Sequence, residues 1–216
     1  MHGINISEFL FLLGGLRWTI GLAIIGLVFG AIAGLGIALA RTSPIATLRK
    51  VTSAYILVFQ GTPLLMQLFV TYYGLALVGL KLEAWVSVAI GFTLHASAFL
   101  GEIWRGSIDA VPRGQTEAAN ALGISYGTRM RKIVLPQALR ISLPATVGFL
   151  VQLIKGTSLA AIVGFTELAR SGSIVANQTF QPLVVYAIVG VLYFMICWPL
   201  SYYGTYLERK LASAAR

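Results

Sequence analysis

At 216 residues, with 57% hydrophobic and only 11% charged side chains and a mean hydropathy of +0.83, the chain is too apolar to hide its surface in a soluble fold of this size. The net charge is +9, but the basic residues lie in gaps between apolar runs, which reads as membrane topology and excludes a continuous nucleic-acid-binding stripe. The one cysteine, Cys197, sits inside an apolar run and excludes an internal disulfide or a cysteine metal site.

The first element is apolar from Ile4 to Leu16 apart from Glu8, and is either a short interfacial helix or an extension of the span that follows. Ala38-Leu39-Ala40 has the look of a cleavage site. No Lys or Arg precedes Arg17, however, Glu8 occupies the place of a basic n-region, and the apolar run is too long, so a retained helix is expected. Five stretches have the roughly 20 apolar residues that a spanning helix needs. They are Trp18–Ala40, Ala54–Gly79, Ala84–Trp104, Ser142–Gly164 and Val184–Tyr206. Gly26, Gly30 and Gly34 recur every four residues in the first span, which places them on one face where another helix can approach closely. Pro63, Pro144 and Pro199 fall in or near spans, where kinks are tolerated if neighbours satisfy the freed carbonyls. No internal repeat is evident, which weighs against a complete secondary transporter.

The gaps alternate in charge. Arg41, Arg49 and Lys50 fill the first; Arg105, Arg113, Arg129, Arg131, Lys132 and Arg140 the third; Arg209, Lys210 and Arg216 the tail. The second and fourth hold only Lys81 and Arg170, beside Glu83 and Glu167. Positively charged loops stay in the cytoplasm, so the N-terminus is expected outside and the C-terminus inside, as five spans require.

The third gap is too long for a simple connector. Pro112 opens and Gly123 closes a helix of about two turns made slim by Ala118, Ala119 and Ala121. Ser125 is placed to cap a second short helix ending before Pro136. Leu122 and Ile133 are apolar anchors. On physical grounds this is either a protein-docking loop or an amphipathic interfacial segment.

Glu117-Ala118-Ala119, then Gly123, then Ile133-x-Leu135-Pro136 resembles the EAA motif of ABC importer permeases. The flanking segments are similar to the polar amino-acid uptake branch, of the histidine, glutamine and arginine type. They are Gln60–Phe69 (QGTPLLMQLF), Glu102–Gly106 (EIWRG), Val111–Gln115 (VPRGQ), Pro136–Arg140 (PQALR) and Lys155–Leu159 (KGTSL). In the last of these the family usually carries an acid after the lysine, whereas this chain has Gly156. The resemblance implies an all-α, polytopic, MetI-like type I importer fold. It implies a single domain over residues 1–216 with a cytoplasmic coupling segment at about 105–140. Glu117, Ala118, Ala119, Gly123, Ile133, Leu135 and Pro136 are then the residues that meet an ATPase.

No G-x-x-x-x-G-K-[ST] loop occurs, and Lys155-Gly156-Thr157-Ser158 has its letters in the wrong order, so ATP and magnesium are expected on partner subunits. The implied assembly has two copies of an ABC ATPase, a second permease subunit, identical or related, and an external amino-acid-binding protein. This chain itself is expected to be multi-pass in the bacterial cytoplasmic (inner) membrane.

Ionisable residues inside spans are costly and need a reason. Lys155 either meets a substrate carboxylate or lines the dimer cavity and steadies packing. Glu102, the one acid inside the predicted spans, has the spacing of a salt bridge with Arg105 and is otherwise a site for a substrate ammonium group. His95 reads as a packed side chain with one hydrogen bond. Gln60, Thr62, Gln67, Thr157 and Ser158 are neutral polar groups able to follow a zwitterion along a path. The rival readings are a permease for another importer class, such as metal chelates or sugars, a stand-alone secondary transporter, and a membrane enzyme. The last lacks any paired carboxylates, His–Cys cluster or Ser–His–Asp set at usable spacing.

Overall fold

A computed structural model describes residues 5–214; Ile4 of the entry segment, His2, and Arg216 of the basic tail lie outside them. Helix α1, Ile6–Arg41, runs without a break, so the entry segment extends the first span. Glu8 has a local reason. Asn5 Oδ1 accepts the Glu8 N–H at 2.9 Å and the Asn5 N–H donates to Glu8 Oε2 at 2.8 Å, a capping box that starts the helix. At 1.5 Å per residue α1 is about 54 Å long, well beyond a hydrocarbon core of about 30 Å.

The second predicted span is corrected by the structure. It comprises α2, Ala46–Gly61, and α3, Leu64–Leu77, bent by 105° at the break between them. Pro63 causes the break, since it has no N–H for the Phe59 carbonyl and pushes Thr62 into extended backbone at φ −118°, ψ 143°. A π-helical turn at Val70–Gly74 follows within α3.

α4, Ala84–Asp109, outlasts its predicted end by a turn. α5, Arg113–Ala121, lies where Pro112 and Gly123 place it. The second short helix is not separate. α6 runs from Tyr126 to Val163, through Pro136, and becomes the fourth span. A π-helical turn at Met130–Val134, closed by Leu135 N–H on the Met130 carbonyl, widens the backbone just ahead of that proline. Gln137 Nε2 takes the Ile133 carbonyl at 2.8 Å. The last seven residues of α6, Thr157–Val163, tighten into a 3₁₀ turn that stops at Gly164, where φ is +82°. The fourth gap holds an unpredicted helix, α7, Leu168–Thr179. α8, Pro182–Ala214, carries Pro199 in its interior. Among the described residues, four helices are thus long and apolar enough to span a membrane, and the α2–α3 pair makes a broken fifth. No strand occurs among the described residues.

α4 is the most buried of the long helices and forms the axis of the bundle. Leu22 of α1, Leu68 of α3, Phe92, Ala96 and Leu100 of α4, and Phe149 and Leu153 of α6 make the main core. The glycine stripe of α1 seats on α4. A Cβ on Gly30 would lie 2.4 Å from the Ala96 Cβ, one on Gly26 3.0 Å from the Phe92 Cβ, and one on Gly34 3.1 Å from the Gly101 nitrogen. In lipid such close backbone approach supplies the packing that solvent exclusion supplies in water. A second cluster of Ala38, Ile108, Val111, Met130, Val134 and Ala138 ties the ends of α1 and α4 to the start of α6, and so fixes the base on which α5 sits.

Candidate coupling face and transport path

The coupling segment is built from its caps. Pro112 is the N-cap residue of α5, and Gln115 N–H returns to its carbonyl at 3.0 Å. At the other end Gly123 N–H donates to the Asn120 carbonyl and Ile124 N–H to the Ala119 carbonyl, both at 3.0 Å, with Gly123 at φ +67°. This is a Schellman stop, and it demands a residue that tolerates the left-handed region.

Ala119 is buried, whereas Glu117 and Ala118 are exposed and Leu122 is 78% exposed. The Arg129 guanidinium donates to Asn120 Oδ1 and stacks 5.3 Å from the Tyr126 ring. The Tyr126 hydroxyl in turn donates to the Thr42 carbonyl at 3.3 Å, where α1 ends. α5 is therefore held from one side and leaves a small-residue face with a single large apolar side chain open on the other. Ile133 and Leu135 are half-buried at the root of α6 and Pro136 is exposed. These three bear on how α6 starts and are not on the α5 face.

The candidate path residues fall into three places. The first is the α2–α3 break. Gln67 Nε2 donates to the Phe59 carbonyl at 2.7 Å, to the Thr62 carbonyl at 3.0 Å and to Thr62 Oγ1 at 3.0 Å. The side-chain amide thus replaces the N–H that Pro63 lacks. Its Oε1 lies 2.9 Å from His95 Nδ1, which therefore carries the proton and donates. His95 is packed on Phe99 at 4.4 Å, so its one hydrogen bond secures the bend to α4. Thr62 and Gln67 line a cavity of about 380 Å³ in the angle of the bend. Gln60 is exposed at the end of α2.

The second place is the junction at the end of α6. Thr157 is fully buried and donates to the Ile154 carbonyl at 2.7 Å, and Ser158 Oγ donates to the Lys155 carbonyl at 2.8 Å. Both hydroxyls therefore satisfy helix-end carbonyls. Lys155 itself is exposed in an open groove of about 1070 Å³ between α6 and α8. The third place is the far end of α4. Glu102 takes Arg105 Nε on both oxygens at 2.9 Å, with Arg41 4.0 Å away, and Arg105 also pairs with Asp109. Its carboxylate is engaged by arginines, in the predicted pairing, rather than turned to an open path.

One buried acid escaped the sequence reading. Glu167 is fully buried at the N-cap of α7. Its oxygens accept the Ala169 and Arg170 N–H groups at 3.0 and 2.9 Å, Thr19 Oγ1 at 3.1 Å and the Tyr193 hydroxyl at 2.8 Å. All four partners donate, which suits a carboxylate at a helix N-terminus. Thr19 and Tyr193 belong to α1 and α8, so one side chain joins three helices. Gly15 permits it, since a Cβ there would lie 2.3 Å from Ser171 Oγ.

Comparison with known proteins places the chain as a whole in a lineage. Residues 26–213 match the family described as binding-protein-dependent transport system inner membrane component. A probable amino-acid ABC transporter permease protein of Bacillus subtilis, YckA, is 36% identical over 209 residues, covering 97% of this chain and 92% of that one. The L-cystine transport system permease protein TcyB of the same organism is 39% identical over 199 residues, covering 92% and 85%. A crystal structure of an amino acid ABC transporter with histidines superposes with a TM-score of 0.87 at 31% identity, covering 97% of this chain and all of that one.

Proposed function

The chain belongs to the family of binding-protein-dependent transport system inner membrane components, and from that premise we propose that α5 transmits nucleotide-driven movement from a partner ATPase into the helix bundle. At the coarser level the protein is a permease subunit of an ABC amino-acid importer, multi-pass in the bacterial inner membrane. In the proposed cycle two ATPase copies hold ATP and magnesium, a second permease subunit completes the path, and a binding protein delivers the amino acid outside. The basic gaps put α5 in the cytoplasm, with the N-terminus outside.

The observation that carries this reading is the way α5 is held. Its Schellman stop and the Arg129–Asn120 contact make it one rigid piece with the root of α6. The exposed Glu117, Ala118 and Leu122 leave a narrow face able to enter a groove. A push on that face moves α6, and α6 continues through the membrane as one helix. Glu117→Lys and Gly123→Asp, reconstituted in vesicles with ATPase and binding protein, are expected to lose ATP-driven uptake by about tenfold or more while still inserting. Undiminished uptake in both would remove the coupling role.

A further inference from the structure

The groove between α6 and α8 has an uneven charge. Lys155 lines it at the level of Cys197 and Ser201, and also lines a contiguous hollow of about 410 Å³ walled by Gly190, Tyr193, Phe194 and Trp198. An ammonium group within a span is costly, faces a cavity or the bundle interior, and marks a path for an anionic group where no partner of its own chain is close. Among the described residues no carboxylate lies within ion-pair distance of Lys155.

The acids that could have served are committed elsewhere. Glu102 and Asp109 hold Arg105. Glu167 is enclosed by four donors. Glu208 lines the same groove, but it lies seven residues beyond Ser201 on α8, about 10 Å further along, and Arg140 lines that end too. The neighbouring position offers no acid either. Gly156 faces the other way, where a Cβ would sit 3.0 Å from Leu64 Cδ2 and 3.6 Å from Phe92 Cε1. The uncompensated charge at mid-groove is therefore positive, and the wall opposite is aromatic and small.

Resting on the importer reading above, we propose that Lys155 receives the carboxylate of the transported amino acid, and that this groove admits amino acids with neutral or anionic side chains and rejects cationic ones. Once its carboxylate meets Lys155, every amino acid still carries its α-ammonium. A cationic side chain adds a second positive charge where no carboxylate lies close, and in a medium of low dielectric like charges repel over longer distances than in water. A neutral side chain would lie against Tyr193, Phe194 and Trp198.

The test uses the complete transporter in liposomes, with the twenty common amino acids and cystine as radiolabelled probes. The proposal expects the transported probes to exclude arginine and lysine. It expects Lys155→Gln to lower uptake of the transported probe by about tenfold or more, with the complex assembled and ATP hydrolysis retained, and Lys155→Arg to stay within about threefold of wild type. Arginine or lysine uptake by the wild type, full uptake by Lys155→Gln, or failure of both variants to assemble would each overturn it. The last outcome would make Lys155 a subunit-pairing residue. Absence of ATP-dependent uptake of every probe would instead count against the importer reading itself.

Discussion

Gln67 is the side chain on which the broken span depends, and its removal has a calculable cost. In Gln67→Leu the Phe59 and Thr62 carbonyls both lose their partner, in a segment where lipid offers none. Each unsatisfied group costs about 1–3 kcal/mol, so the variant is expected to lose about 2–6 kcal/mol of stability. Pro63→Ala restores an N–H able to reach the Phe59 carbonyl. In that background Gln67→Leu leaves only one carbonyl orphaned and costs about 1–3 kcal/mol. The two substitutions should therefore couple by a similar amount in a double-mutant cycle. His95→Phe keeps the stack on Phe99 and loses one hydrogen bond, for about 1 kcal/mol. Unfolding of the purified chain in mixed micelles, titrated with SDS, measures all four. Equal costs for Gln67→Leu with and without Pro63 would refute the reasoning, as would a Gln67→Leu loss no larger than that of His95→Phe.

Three further outcomes follow from the same packing. Gly30→Ala should destabilise by about 1–3 kcal/mol, since its Cβ would sit 2.4 Å from that of Ala96, whereas Gly36→Ala, with no atom within 4 Å, should be neutral in the same titration. Gly123→Ala forces a Cβ into the left-handed region at φ +67° and should cost about 1–2 kcal/mol, felt as weaker coupling of ATP hydrolysis to uptake. Glu167→Ala removes an N-cap and leaves the Tyr193 and Thr19 hydroxyls without their acceptor, for about 3–5 kcal/mol; limited proteolysis should then cut near α7 faster than in wild type.

What could be read from the chain was whatever repeats or punctuates locally. Gly26, Gly30 and Gly34 announce their helix contact by spacing alone, and Pro112 and Gly123 mark α5 because capping chemistry acts within a few residues. The charge of the gaps marks the spans for the same reason. Features that depend on distant partners were not legible. Glu167 lies in a gap that reads as polar, and the hydroxyls that bury it stand 148 and 26 residues away. Pro63 was visible as a kink, but a 105° turn needs Gln67 and His95 to hold it, and nothing in their spacing says so. Pro136 suggested a helix end because a proline ordinarily costs a hydrogen bond; the π-helical turn ahead of it lets α6 run on, and such a turn has no local signature. Glu102 and Lys155 both stood as charges within spans, and spacing alone paired Glu102 with Arg105. The approach of α1 adds Arg41 beside it, and the arrangement of α6 and α8 leaves Lys155 facing a groove.

The central claim is that α5 is the hook on which the ATPase pulls, and proximity tests it most directly. Cys197 is buried, so a cysteine at Ala118 is the reactive thiol of an otherwise unaltered chain. With a short bifunctional reagent, Ala118→Cys in membranes containing the whole transporter is predicted to capture the ATPase subunit, with yield changing between ATP-bound and nucleotide-free states, while Lys81→Cys captures none. A well-inserted Ala118→Cys chain that never joins the ATPase in either state would contradict it.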